Sequence, residues 1–367
     1  MAQVVSAGDY AFRMDELDLQ DLTSGTYLSR SSTGFALDAG DGYTTEFRGF
    51  DLSYDAFGDP LTGTITGITN SLDGQANFEI TQIDATVGEF AHWAFDLSAQ
   101  DGFAALLAGN DSFYGSDFDD YMQGFAGHDD LYGGDGSDTL AGGSGNDHIY
   151  GQSPYGGPDG NDVIYGGSGS DYIQGNAGDD SLDGGTGSDR IVGGQGNDVI
   201  VGGDGNDSIN GNRGDDIIYG GADHDTLRGG QGDDSISGGD GDDLISGDLG
   251  TDTLRGGNGS DLFVVSGLGS TISNGPDLIV DFGNGRDVIG LDFTPTALVS
   301  GTAQTFFSAA TAAQQMFDAH AGGNEVAALG VGEDTYIFYS SSGGATVDSA
   351  IELAGVSASE ISVYDFI

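Results

Sequence analysis

An aspartate recurs every nine residues through the middle of this chain, and that period constrains the fold more than any other feature. The series runs Asp111, Asp120, Asp129, Asp138 and Asp147, then Asp162, Asp171, Asp180, Asp189, Asp198, Asp207, Asp216, Asp225, Asp234, Asp243, Asp252 and Asp261, 17 positions in all. One step is irregular: Asp147 to Asp162 spans 15 residues, a nonapeptide plus six, through GQSPYGGPDGND. Two residues after each Asp stands a bulky apolar residue, from Phe113, Met122 and Leu131 to Ile245, Leu254 and Phe263. The frame is G-G-x-G-x-D-x-U-x, with U apolar, and self-similarity at a fixed period is the signature of a solenoid. Gly at positions 1, 2 and 4 permits positive φ and tight reversal. The x-U-x triplet is a minimal strand whose central side chain points inward. Two nonapeptides therefore make one coil of a parallel β-roll, and 17 repeats make about eight coils, on the order of 40 Å at roughly 4.8 Å per strand. The apolar core of such a roll is narrow, so burial alone is a weak source of stability.

Composition says what supplies the rest. Among 367 residues are 69 Gly, 60 acidic and 8 basic residues, all 8 of them Arg, for a formal net charge of −52. Like charges at that density destabilise any compact state. The imbalance excludes nucleic acid and insertion into an anionic membrane as main roles, since both reward basic patches. The absence of Cys excludes a disulfide framework, thiol catalysis and cysteine-based zinc sites. The absence of Lys excludes Schiff-base chemistry, a P-loop lysine and lysine-linked crosslinks. Such a chain is either disordered or folds by collecting cations.

Calcium fits the second case. Each coil presents Asp carboxylates and glycine-rich backbone carbonyls, the hard oxygens that Ca²⁺ takes in sets of six to eight. Repeats n and n+2 fall on the same side of the roll, so an ion can draw ligands from two stacked coils. Seventeen loops paired this way allow at most 15 inter-coil sites. The expected ligands are the in-phase aspartates from Asp129 to Asp261, with carbonyls of turn glycines such as Gly134, Gly136, Gly167, Gly169, Gly194, Gly196, Gly203 and Gly205. Asp111 and Asp120 are expected to be weaker ligands, because GSDFDDYMQ (115–123) and GFAGHDDLY (124–132) lack the Gly pair. Residues 107–265 hold 31 Asp, no Glu and 4 Arg, a net of −27 that 15 divalent ions would nearly cancel.

The array resembles the RTX (repeats-in-toxin) family of calcium-binding nonapeptides. GGDGSDTLA (133–141), GGSGNDHIY (142–150) and GGQGNDVIV (193–201) carry the motif residue for residue. The resemblance covers about 155 residues and implies a calcium-dependent β-roll; it says little about biological role, because such arrays accompany proteases, lipases, toxins, adhesins and surface-layer proteins. DLIVDFGNGRDVIGL (277–291) resembles the segment that follows such arrays in secreted enzymes, and Asp277, Asp281 and Asp287, spaced to close off the last coil, are expected as further calcium ligands. The ending IELAGVSASEISVYDFI resembles the uncleaved C-terminal signal of type I secretion substrates. That resemblance implies export by a type I apparatus from a Gram-negative bacterium and a secreted, extracellular or cell-surface location. It accords with the N-terminal MAQVVSAGDYAFRMDELD, which lacks the basic flank and apolar run of a cleaved signal peptide. In a calcium-poor cytosol the acidic array would stay unfolded and fold outside, because metal-binding free energy is folding free energy.

Three regions follow: an N-terminal β-rich capping or assembly module (1–106), the β-roll (107–265) and a C-terminal β-rich domain (266–367). In the first, LTGTITGIT (61–69) and NFEITQID (77–84) predict strands. Val87, Phe90, Ala91 and Ala94, then Phe103, Leu106 and Leu107, predict two short helices. This module resembles one that often precedes RTX arrays, and it would cap the open edge of the roll. In the third region, Phe306, Ala310, Ala313 and Phe317 have helical spacing, and TYIFY (335–339) predicts a strand.

Catalytic signals are missing. There is no HExxH zinc motif and no G-x-S-x-G elbow. The five histidines, His92, His128, His148, His224 and His320, are scattered without ligand spacing. Abundant acids carry no glycosidase signal when half of them belong to the array. The sequence therefore reads as a non-enzymatic, secreted calcium-binding structural protein that assembles with copies of itself into a filament, layer or matrix. The competing readings are an adhesin or haem- or glycan-binding module, and a small hydrolase with an RTX export tail.

Overall fold

The computed structural model describes residues 3–6, 26–31, 34–40, 43–54, 60–72, 75–86, 108–115, 118–152, 159–265, 275–283, 285–291, 293, 295, 297–319, 325–340 and 346–367. The chain is mainly β and divides into two compact units, Met1–Ala177 and Gly178–Ile367. No described helix is long and apolar enough to cross a membrane.

The first unit opens with strands β1 (Gln3–Ser6), β2 (Thr26–Ser31), β3 (Gly34–Gly40), β4 (Tyr43–Tyr54), β5 (Pro60–Leu72) and β6 (Gln75–Thr86). Both strands expected at 61–69 and 77–84 are present, inside β5 and β6, where Leu, Ile and Thr alternate with Gly and polar residues. They form an antiparallel sheet in the order β2-β3-β4-β5-β6-β1. The helices expected over 87–107 lie outside the described residues, as do His92 and His320. Seven rungs follow: β7 (Ser112–Tyr114), β8 (Tyr121–Gln123), β9 (Asp130–Gly134), β10 (Thr139–Ser144), β11 (His148–Gln152), β12 (Val163–Ser168) and β13 (Tyr172–Ala177). Alternate rungs pair in parallel, β7-β9-β11-β13 on one face and β8-β10-β12 on the other. β1 pairs in parallel with β7, so the first rung of one face carries a partner instead of an open edge.

The second unit is built of rungs of the same kind: β14 (Ser181–Thr186), β15 (Arg190–Gln195), β16 (Val199–Asp204), β17 (Ser208–Arg213), β18 (Ile217–Ala222) and β19 (Thr226–Gln231). Next come β20 (Ser235–Asp240), β21 (Leu244–Leu249), β22 (Thr253–Asn258), β23 (Leu262–Val264), β24 (Asp277–Ile279) and β25 (Val288–Gly290). Here too each strand pairs in parallel with the next but one, and within the array residue i faces residue i+18. The U side chains stack inside: all 17, from Phe113 to Phe263, are at most 2% exposed. β24 and β25 add two rungs that nonapeptide spacing does not announce, with Ile279 and Ile289 fully buried two residues after Asp277 and Asp287.

The C-terminal region finishes the second unit. Strands β26 (Ala297–Thr302), β27 (Glu325–Val331), β28 (Asp334–Tyr339) and β29 (Ser349–Leu353) extend one face, because β29 pairs in parallel with β24. Helix α1 (Phe306–Ala319) lays Ala309, Ala313 and Phe317 on Ala327, Leu329, Phe338 and Ala350. Ala309 takes the buried place that spacing assigned to Ala310, which sits at the rim of that cluster. The chain end covers the other face: Phe366 bridges to Ile289, and the Ile367 N–H donates to the Ile289 carbonyl at 3.1 Å.

Candidate metal centres

Each in-phase aspartate is buried, at most 3% exposed, because the tight Gly turn tucks its side chain under the backbone of the coil before it. From Asp129 to Asp171 and from Asp198 to Asp261, Oδ1 accepts a hydrogen bond from the backbone N–H of the aspartate one coil earlier. Asp111 N–H donates to Asp129 at 2.7 Å, Asp120 to Asp138 at 2.7 Å, Asp198 to Asp216 at 2.8 Å and Asp243 to Asp261 at 3.0 Å. Asp162 and Asp171 take this place across the longer step, receiving Asp138 and Asp147 at 2.8 Å.

The second oxygen is different. Oδ2 of Asp129, Asp138, Asp147, Asp198, Asp207, Asp216, Asp225, Asp234, Asp243, Asp252 and Asp261 is buried and accepts no hydrogen bond. A buried charge without a partner is costly, so such an oxygen implies a cation or a proton. What it faces is backbone. A methyl group built on Gly124 would lie 2.5 Å from Asp129 Oδ2 and 2.5 Å from the Gly142 carbonyl oxygen. Gly202 stands in the same relation to Asp207 and to the Gly220 carbonyl. The first Gly of each motif therefore keeps open a cradle between a carboxylate and a carbonyl, and it does so at ordinary φ. Positive φ belongs to positions 2 and 4: Gly134, Gly136, Gly167, Gly169, Gly194, Gly196, Gly203 and Gly205 all lie between 107° and 132°. Among the described residues no three His, Asp or Glu side chains converge on one point. The Asp Oδ2 and the Gly carbonyl oxygen that meet at first glycines such as Gly124 and Gly202 are both hard oxygen donors, suited to Ca²⁺ and unsuited to zinc.

Family comparison agrees with this geometry. The model for the RTX calcium-binding nonapeptide repeat (four copies) matches residues 107–140, 132–153, 157–191, 192–227 and 228–263. The repeats form an RTX array. Among solved structures, the solution structure of the AlgE6R3 subunit from the Azotobacter vinelandii mannuronan C5-epimerase is 23% identical. It covers 41% of this chain and 78% of its own, with a TM-score of 0.29. No curated protein matches the chain.

Electrostatics within the RTX array follow from the burial. Loss of hydration pushes the Asp129, Asp138 and Asp234 carboxyls up to about 8, against an ordinary value of 3.8; the backbone N–H bond opposes this and neighbouring carboxylates add to it. Asp198 and Asp225 rise to about 7 for the same reasons. Asp207, Asp216, Asp252 and Asp261 rise to about 6. Burial also raises Asp147 and Asp243, where nearby His128 and His148, or His224, pull the other way. The metal-free array is therefore a row of carboxyls that burial holds toward the protonated form.

Departures from the motif are absorbed locally. Phe125, Asn176, Asn212 and Asp248 occupy the second Gly position and Asp223 the fourth, all at φ between 66° and 79°. In two of these, Asn212 N–H bonds Asn210 Oδ1 and Asp248 Oδ1 accepts from Ser246, local bonds of the kind that let Asn and Asp adopt this region. Asp111 and Asp120 are as buried as the rest. The six-residue insertion falls after Gly151 and Gln152: Gly151 serves as first Gly for Asp162, and Asp159 accepts from the Gly160 and Ala177 N–H groups where the turn resumes. Asp277 and Asp287 accept the Asp252 and Asp261 N–H groups at 3.1 Å, continuing the series past its apparent end. Asp281 differs, since Gly256 and Gly257 N–H groups bond both of its oxygens, and Gly283 N–H bonds the second oxygen of Asp287.

A second ladder was not anticipated from the sequence. In most repeats the residue before the in-phase Asp offers a side-chain acceptor to the backbone N–H one coil on: Asn110 to His128, Asp119 to Ser137, Asn197 to Asp215, Asp233 to Thr251. His128 and His224 do this through Nδ1, each accepting at 2.7 Å from Asn146 and Asp242. The signal was present as the run of Asn, Asp, Ser and His at that position. His148 is a surface neighbour of Asp130, 3.1 Å apart.

Proposed function

We propose that this protein is a secreted structural element that folds on calcium outside the cell and then associates with copies of itself. One observation carries the reading: in coil after coil a buried Asp Oδ2 without a hydrogen bond faces a backbone carbonyl across a glycine cradle. When bound, Ca²⁺ would supply charge compensation and a crosslink between stacked coils. The aspartates from Asp129 to Asp261 would hold it through Oδ2, helped by carbonyls of the turn glycines, with at most 15 inter-coil sites. Asp111 and Asp120 would serve likewise at the entry. Asp277 continues the row. Asp281 and Asp287, whose oxygens already accept N–H groups, would close it rather than ligate.

Export is argued from the C-terminal resemblance and from charge: without ions a net of −27 in the array opposes folding, which keeps the chain threadable. Absence of a catalytic motif leaves binding and assembly as its work. Electron microscopy and sedimentation in millimolar Ca²⁺ and then in chelator test the assembly. Extended or multimeric particles that dissolve in chelator are expected; strictly monomeric particles in calcium would remove the assembly reading.

A further inference from the structure

The second unit carries a charged and apolar pattern on one outward sheet face that the calcium reading leaves unused. Register pairs Asp183 with Val201, Val201 with Tyr219, Tyr219 with Ser237 and Ser237 with Arg255, one residue on each of β14, β16, β18, β20 and β22. Beside this row stand Val199 and Ile217, and Val199, Ile217 and Tyr219 are 41%, 40% and 49% exposed. Outward positions on the flanking strands β14, β20 and β22 are Ser, Asp, Thr and Arg. Asp183 and Arg255 lie two strands to either side of Tyr219, hence roughly 19 Å from each other at about 4.8 Å per strand. Neither has an ion-pair or hydrogen-bond partner among the described residues.

We propose that this face pairs with the same face of a second copy, about a two-fold axis parallel to the strands and passing through Tyr219. That operator inverts strand order, so β14 meets β22 of the other copy and β16 meets β20. Tyr219 and Ile217 meet their own images, while Asp183 of each copy meets Arg255 of the other, giving two ion pairs across one apolar centre. The equal spacing of acid and base about Tyr219 is what makes the surface self-complementary, as an isologous contact requires. The excess of acid elsewhere disfavours anionic partners, and a calcium-filled array removes much of the repulsion between copies. Five short strands present less than the ~800 Å² per partner typical of stable complexes, so the contact is weak singly and gains weight where many copies align. The inference rests on the self-assembly reading and adds a lateral contact to it.

Sedimentation equilibrium of the full chain in millimolar Ca²⁺ tests it, with circular dichroism confirming that each variant folds. Asp183→Arg alone and Arg255→Asp alone place like charges opposite each other and are expected to weaken lateral pairing roughly a hundredfold. The double variant D183R/R255D restores it. An equimolar mixture of the two single variants forms a mixed pair tighter than either alone, because both of its contacts are then attractive. Tyr219→Ser weakens pairing without altering the charge pattern. Association equal to wild type in every variant, or a mixture that pairs no better than its components, overturns the lateral contact while leaving assembly by other surfaces intact. No association of the wild-type chain at any concentration in calcium overturns both.

Discussion

At an in-phase aspartate the two carboxylate oxygens do different work. Oδ1 is spent on fold, tying its coil to the one before; Oδ2 is held in reserve beside a carbonyl. Asp234 shows the consequence. Burial lifts its carboxyl to about 8, so the metal-free fold is favoured while that group is protonated. This contribution is complete below the ordinary value near 3.8 and is lost as pH rises through about 8. Proton and calcium relieve the same buried charge in the folded state, so less Ca²⁺ should be needed at half-folding as pH falls from 8 to 6, which titration by circular dichroism at each pH measures. Asp234→Asn should act with opposite signs in two conditions. In chelator at pH 8 it lessens the tendency to unfold by removing a buried charge, and in calcium it lowers the number of bound ions, read by equilibrium dialysis. Gly202→Ala places a methyl group against Asp207 Oδ2 and 2.5 Å from the Gly220 carbonyl. It should cost about 1–3 kcal/mol in calcium, as overpacking does, and chemical denaturation reads the loss. A change below experimental error would show that the cradle is not a tight feature. The requirement for the first Gly was legible only as a letter: its spacing suggested positive φ, whereas Gly202 leaves space between the Asp207 carboxylate five residues on and the Gly220 carbonyl 18 residues on.

Rungs succeed one another by simple rules, and those rules made the array legible. A U residue two places after each Asp, between polar neighbours, specified strand, inward direction and parallel pairing with the rung one coil on. Where spacing changes, the rule hides: Asp252 to Asp277 is 25 residues and Asp261 to Asp287 is 26, yet β24 and β25 hydrogen-bond as ordinary rungs. The extra residues after Gln152 and after Asp261 break the nine-residue spacing, which a fixed period cannot express. Helix α1 was legible from its Ala and Phe spacing, but which Ala packs depends on the strands beneath it. The C-terminal segment gains a local role from the same geometry, since Phe366 lies 5% exposed against the last rung. Phe366→Ala should cost about 3 kcal/mol and expose β25 as an edge. Faster hydrogen exchange at Val288–Gly290 is expected; unchanged protection there would show that the chain end does not cover the rung.

For the whole molecule, charge is the quantity that the fold has to answer. Of 60 acidic residues, 17 stand in phase at one position, and burial places them where only protons or cations make them tolerable. Fold class, ligand type and the chemistry of the repeats were all legible from period and composition, because they depend on contacts that recur. Surfaces that do not recur, such as the Asp183–Tyr219–Arg255 row, were illegible: neighbours across a sheet are 18 residues apart in sequence and acquire meaning only from register. The most direct measurement of the account is far-ultraviolet circular dichroism of the full chain at pH 7.5, titrated from excess chelator to millimolar Ca²⁺. The array should pass from disorder to β-structure at about 10⁻⁴–10⁻³ M, the range of extracellular calcium modules. A spectrum equally rich in β-structure in chelator would contradict the claim that calcium makes this fold.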